Sequence, residues 1–347
     1  MFQTLFACRL HVNMRLSLDS LVQHVRKEEV VEAYDVSELP LGAVLHQVVD
    51  GLLCKRADGE LYHQMKCIDG ECTLCSIHNI EDCIPRSLRK EGSPLVCVKH
   101  FEYTEVSRRD QSTAKKLDLV RKEMTMPDFF KAFKMELFAF VKHDFTNQWQ
   151  SYQYKQCLDQ FKVGSVVIAM DFAENHAFLF QEEIQSLHWT PHQCTVFVVV
   201  LYRHAEETVD GDGNKSTDNV RHIVKEHHFF ISDDGVKDVE WVKHALDLLV
   251  IDLMKRSISV KGVTFWSDGC AAQFKSGSAF WDRARQAEAW GCNVEHHFFC
   301  SGHGKGEHDG AGANVKHAAS LHNLRNKDAP LQTAKDLHRQ VAHNCHQ

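Results

Sequence analysis

Ser165-Val166-Val167-Ile168-Ala169-Met170-Asp171 is the stretch that decides the fold of the C-terminal half of this chain. Its unbroken apolar run is short for a helix and fits a strand buried on both faces. A carboxylate closes the run. A buried strand gains nothing from a charge at its end, so Asp171 reads as a group held on a rigid scaffold for chemistry.

Two more acids occupy comparable places. Asp268 follows Gly262-Val263-Thr264-Phe265-Trp266-Ser267, and Asp309 lies in the turn Gly302-His303-Gly304-Lys305-Gly306-Glu307-His308-Asp309-Gly310. Three converging carboxylates would bind hard divalent cations through oxygen, as two-metal phosphoryl transfer requires. The plainer alternatives are a helix N-cap or turn at Asp309-Gly310 and a strand-end turn at Asp268-Gly269.

Outward from Asp171, apolar runs over 177–184 and 194–202 join 165–170 in an antiparallel meander, with a further short strand at 227–231. The 3.6-residue period predicts a helix over 236–255, carrying Val239, Val242, Leu246, Leu249, Val250 and Leu253 on one side. A strand at 263–266, a helix at 278–290, a strand at 293–299 and a helix at 312–324 follow. That order, β-β-β-α-β-α-β-α with acids after the first and fourth core strands and before the last helix, is that of the ribonuclease H-like fold. The expected class is α/β with a mixed sheet. The first and fourth strands of that fold are neighbours, so Asp171 and Asp268 should meet.

Before this core, expected over 161–326, the chain divides into a helical region at 1–53, a Cys/His-rich segment at 54–110 and a helical linker at 111–160. A tail, 327–347, follows it. The linker contains a helix opening at Thr125 and Pro127, with Phe129, Phe130, Phe133, Leu137, Phe140 and Val141 at core spacing. In the Cys/His segment, Cys67-x4-Cys72-x2-Cys75 sets three thiolates in one loop, with Cys54, His63, His78 or Cys83 as a fourth ligand. Tetrahedral zinc needs four such groups, and a loop-rich segment would gain its order from the metal.

Composition sets the class. The chain has 347 residues, is 44% hydrophobic and 25% charged, and carries a formal charge of −7, as a globular rather than a wholly basic protein does. Its longest strongly apolar run, Val196 to Tyr202, is too short for a bilayer, and Arg9, His11 and Arg15 interrupt any secretory leader. The thirteen cysteines are therefore expected as reduced thiols or metal ligands of an intracellular protein with no membrane partner. From Arg86 to Lys122 there are ten Lys/Arg against five Asp/Glu, a solvated surface or a phosphate-backbone contact region.

The blocks MDFAENH (Met170 to His176), QEEIQSLHW (Gln181 to Trp189), WSDGCAAQFKS (Trp266 to Ser276) and HFFCSGHGKGEHDGAGANVK (His297 to Lys316) resemble transposase-like proteins found in many copies in invertebrate genomes. The likeness runs from the Cys/His segment through the last helix. It departs at Gly312-Ala313, where the family often has two glycines, and at His308, where a cysteine is common. The resemblance implies a DDE/D polynucleotidyl transferase core in a nuclear, homo-oligomeric protein acting on DNA, a transposon end or target. It implies Asp171, Asp268 and Asp309 as catalytic ligands of two Mg²⁺ or Mn²⁺ ions, Asp171 bridging both.

Glu307 competes with Asp309 as third acid, and Glu174 could assist. Asp171-x-x-Glu174 does not match the D-x-E of exonucleases of this fold, because the two side chains would point to opposite faces. Of the 24 histidines, none falls in an H-E-x-x-H pattern, and His303 and His308 are the ones placed to touch substrate phosphate. The other functional class is a decayed or domesticated element that keeps the fold and binds nucleic acid or a protein without catalysis.

Overall fold

The computed structural model describes residues 8–28, 45–83, 94–107, 113–179, 191–211, 213, 215–217, 219–258, 260–304 and 306–344. The chain forms two compact units, Met1–Trp149 and Gln150–Gln347. The block Gln181 to Trp189, Lys305, and Arg86, Arg89, Lys90, Arg108 and Arg109 of the basic region lie outside the described residues. No described helix is long and apolar enough to cross a membrane.

In the first unit, helix α1 (Arg9–Glu28) buries Met14, Leu18 and Leu21 on one stripe. The short α2 (Leu45–Leu52) and α3 (Met65–Ile68) and a 3₁₀ segment (Ser76–Cys83) follow. Strands β1 (Val96–Ser107) and β2 (Thr113–Met124) form an antiparallel hairpin, from Val96 opposite Met124 to Ser107 opposite Thr113. The expected helical linker from residue 111 is thus corrected. Leu117 and Leu119 alternate with polar residues at a strand period, and β2 ends one residue before the helix N-cap region. Helix α4 (Met126–Gln160) then buries Phe129, Phe130, Phe133, Leu137, Phe140 and Val141. These join Met14, Leu18, Leu21 and the cysteines in one core.

The second unit is built on a mixed sheet of β3 (Ser165–Phe172), β5 (Gln193–His204), β6 (Ile223–Ser232), β7 (Gly262–Ser267) and β8 (Asn293–Phe298). Across it the order is β6-β5-β3-β7-β8. Strand β5 is antiparallel to β3 and β6, whereas β3–β7 and β7–β8 are parallel. Of the apolar run at 177–184, residues 180–184 lie outside the described residues; ahead of them β4 (His176–Ala177) pairs opposite Cys194 and Gln193. Phe172 faces Phe197 and His176 faces Cys194, so four steps on one strand match three on the other. Residues between them form a bulge, a device that re-aims side chains beside sites. Strand β5, the third run of the expected meander, pairs with both β3 and β6, and β6 is longer than the expected 227–231.

Helices cover both sheet faces. Helix α6 (Val239–Lys255), which follows the short α5 (Glu207–Asp210), packs Val242, Leu246, Leu249 and Leu253 on Val166, Ile168 and Met170. Helix α7 (Gly277–Trp290) links β7 to β8. On the other face, α8 (Glu307–Arg325) and α9 (Ala334–Asn344) pack Val315, Ala319 and Leu337 against Val196 and Val198. The expected tail thus contains a packed helix, and α8 starts five residues earlier than its apolar pattern suggested. Asp171 opposes Val198 and shares the parity of Val167, so it faces α8.

Gly312 sets how near α8 comes. A Cβ there would stand 3.1 Å from Ala173 Cβ and 3.2 Å from Val198 Cγ2. Gly312→Val should force the helix start off the sheet and cost about 1–3 kcal/mol by overpacking. Denaturant unfolding of the variant, compared at unchanged slope, measures this; full parental stability would show that the approach is not tight.

Candidate functional site

The sheet brings Asp171 and Asp268 together by register. In the parallel β3–β7 pair Ala169 faces Trp266, so two residues further along both strands stand Asp171 and Asp268. Asp309 arrives from the first turn of α8, where its Oδ2 accepts the Gly306 amide at 2.8 Å. The helix-start role and the site role therefore coincide in one side chain. Ligand atoms of Asp171, His308 and Asp309 lie within 4.8 Å of one another.

Electrostatics record the crowding. Burial first, then the charge of Asp268, push the Asp171 carboxyl up to about 7, with Asp309 adding to the rise. The Phe172 amide, which donates to Asp171 Oδ1 at 2.7 Å, and the more distant charge of Lys237 oppose the shift. Lys237 donates to the Ala173 carbonyl at 2.9 Å and lies over the Phe172 ring. Asp268 Oδ1 accepts the Cys270 amide at 3.0 Å. Two carboxylates, of Asp268 and Asp309, thus crowd the largely buried Asp171, and of the two only Asp309 is grouped with it, beside His308, at ligand spacing.

The neighbouring candidates separate by their partners. Glu307 accepts from Tyr202 at 3.0 Å and pairs with Lys225 at 2.9 Å and His227 at 3.1 Å, so both its oxygens are engaged by β5 and β6. Burial opposes its ionisation, but Lys225 and Tyr202 hold it below the usual carboxylate range. Of the two acids at that turn, Asp309 is the one beside Asp171. Glu174, on the bulge, has a 91% exposed side chain 3.8 Å from Lys316. His303 sits in the preceding turn, its amide bonded to the Cys300 carbonyl. His308 is 3% exposed, and burial lowers its pKa against the pull of Asp309. Lys225 and His227 went unread in the sequence because only the pairing of β6 with β5 places them here, and Lys237 because it reaches in from the loop before α6.

A second cluster stands in the first unit. The sulfurs of Cys54, Cys67, Cys72 and Cys75 lie within 4.8 Å of one another, with Cys54 at 3.7 Å from Cys72 and 3.6 Å from Cys75. Thiolates about 2.3 Å from one tetrahedral ion stand about 3.8 Å apart, so this cluster could hold a metal such as zinc. The turn after α3 needs Gly70, at φ +76°, where a Cβ would meet Phe138 at 2.9 Å. The Leu74 amide is the main cause that lowers Cys72 to about 7. Cys67 and Cys75 are raised first by burial, and Cys54 first by its bond to Cys75.

The two histidines named as alternative ligands act as buttresses instead. His63 bonds the Cys54 carbonyl at 2.8 Å and Asp50 at 2.8 Å, and His78 bonds the Cys72 carbonyl at 2.9 Å. The side chain of Cys83 lies outside the described residues.

The chain belongs to the family described as a domain of unknown function (DUF8701), matched over residues 150–347. The matched span is the second compact unit, which carries Asp171, Asp268, His308 and Asp309. No curated protein matches the chain.

Asp171→Asn tests the electrostatics. A carboxyl raised toward 7 favours the fold while protonated, and that contribution is lost as pH rises from about 4 through 7. Without metal, the variant and the parent should be equally stable near pH 4. At pH 8 the variant should be the more stable by up to about 4 kcal/mol. Parallel stability curves across that range would show that Asp171 is not held among like charges.

Proposed function

We propose that the unit at 150–347 is a ribonuclease H-like polynucleotidyl transferase or nuclease domain, of the transposase-like kind, acting on DNA. The observation that carries this reading is the convergence of Asp171, Asp268 and Asp309 from a central strand, its parallel neighbour and a helix on the same sheet face. The pairing of the first and fourth long strands of the sheet, β3 and β7, supports it. Two bound divalent cations would supply a deprotonated oxygen nucleophile and neutralise the departing oxygen of a phosphodiester.

The residues supply placement. Asp171, fixed by the Phe172 amide, would hold the cations together with Asp268 and Asp309. The Cys270 and Gly306 amides hold those two carboxylates in fixed rotamers, so little reorganisation is left for the reaction. Because the Asp171 proton must leave, cation binding should strengthen as pH rises through about 7. In the first unit, we assign Cys54, Cys67, Cys72 and Cys75 to one structural Zn²⁺.

Purified protein with Mg²⁺ or Mn²⁺ should nick or join DNA, and Asp171→Asn should reduce this by at least about a thousandfold while keeping the fold. Glu307→Gln should retain most of the activity. Cleavage that persists in Asp171→Asn would assign it elsewhere. Metal binding without cleavage of any DNA form would favour the non-enzymatic reading.

For the thiol centre, elemental analysis should find close to one zinc per chain, lost when Cys72 and Cys75 are both changed to serine. Chelation should then unfold the first unit at lower temperature. A folded protein whose melting is indifferent to chelator would reject the assignment.

A further inference from the structure

His308 is 3% exposed yet ends among carboxylates. Its Nε2 is 3.3 Å from Asp309 Oδ2, and a ligand atom of Asp171 completes a trio within 4.8 Å. The ring is held from two sides. It stacks at 6.4 Å on Phe299 and lies against Gly306, where a Cβ would stand 3.0 Å from Cε1 and 3.2 Å from Nδ1.

One nitrogen of this buried ring and two carboxylate oxygens thus stand within 4.8 Å of one another, a spacing that three donors can keep around one cation. A neutral imidazole offers such a cation the lone pair of one nitrogen.

We propose that His308 is itself a ligand of the cation held by Asp171 and Asp309, making that position a mixed nitrogen–oxygen site. This rests on the reading of the acidic cluster as a cation site. Imidazole suits Mn²⁺, Co²⁺ and Zn²⁺, whereas Mg²⁺ keeps to oxygen and water. The Asp268 side of the cluster, with oxygen donors only, stays indifferent between Mg²⁺ and Mn²⁺. The two cation positions are therefore chemically unequal, and the ion under the α8 N-terminus is the selective one.

The test uses the full chain with its thiol centre loaded with zinc and surplus metal removed. Mn²⁺ and Mg²⁺ are titrated separately, and the Mn²⁺ form is studied by pulsed electron paramagnetic resonance with natural and ¹⁵N-histidine protein. The parent should bind Mn²⁺ at least about tenfold more tightly than Mg²⁺. It should show an imidazole ¹⁴N coupling that becomes ¹⁵N on labelling. His308→Gln should lose the coupling and bring the two affinities within about threefold of each other. Mn²⁺ binding that Asp171→Asn abolishes, but without imidazole coupling, overturns the inference and leaves the acidic site standing. It would assign His308 to a plain ion pair with Asp309. A coupling that survives His308→Gln overturns it equally. Mn²⁺ binding that Asp171→Asn leaves unchanged sinks both readings. Should His308→Gln fail to fold, the spectra of the parent and of Asp171→Asn decide between these outcomes.

Discussion

The second unit holds a largely buried carboxyl group beside two others, against their mutual repulsion. Asp171 is pushed up to about 7 by burial and by Asp268 and Asp309, so the rest of the unit must supply the force that keeps the acids together. That force is packing. Strand β3 is paired on both sides, and its alternate residues are buried under α6 on one face and covered on the other. The register with β7 leaves Asp268 no other level at which to sit. Gly312 lets α8 come within contact of Ala173 and Val198, which carries Asp309 the last few ångströms. Stability is given up at this point in the sheet and recovered in the apolar layers around it. A cation in the cluster would reverse the sign of the local term.

How much of this was legible depends on the range of the interaction. The run 166–170, the stripe of α6 and the phenylalanines of α4 are local patterns, and the structure keeps them. Strand β6 was seen only from residue 227 on, because Lys225 and Glu226 interrupt its apolar pattern at the start. The start of α8 was hidden by Gly310 and Gly312, which read as turn residues but lie inside the helix, Gly312 for its close contact with β3 and β5. The partners of Glu307 could not be read at all. They come from β5 and β6, 80 or more residues away, and exist only once the sheet has paired.

The thiol cluster shows the opposite case. Cys67, Cys72 and Cys75 fall within one short loop, so spacing alone brings them near each other. The fourth position was open in the sequence because histidine and cysteine are equivalent on paper as zinc donors. Three dimensions separate them. His63 has both ring nitrogens committed, to Asp50 and to the Cys54 carbonyl, and so acts on the cluster only through the backbone of Cys54. Such outer partners orient ligands without being ligands.

The helix-cap and metal readings of Asp309 need not compete. A carboxylate in the first turn of a helix is stabilised by the unpaired amides and by the dipole there, which lowers the cost of adding a third negative charge near Asp171. The bond from the Gly306 amide fixes the rotamer. The turn that a sequence reader would dismiss as ordinary capping is therefore what makes an acidic cluster affordable at this sheet edge. The same turn positions His308, one residue earlier, on the inner side of the helix start. Its burial follows from α8 sitting tightly on β3 and β5, so the contact that gathers the acids also brings a nitrogen among them.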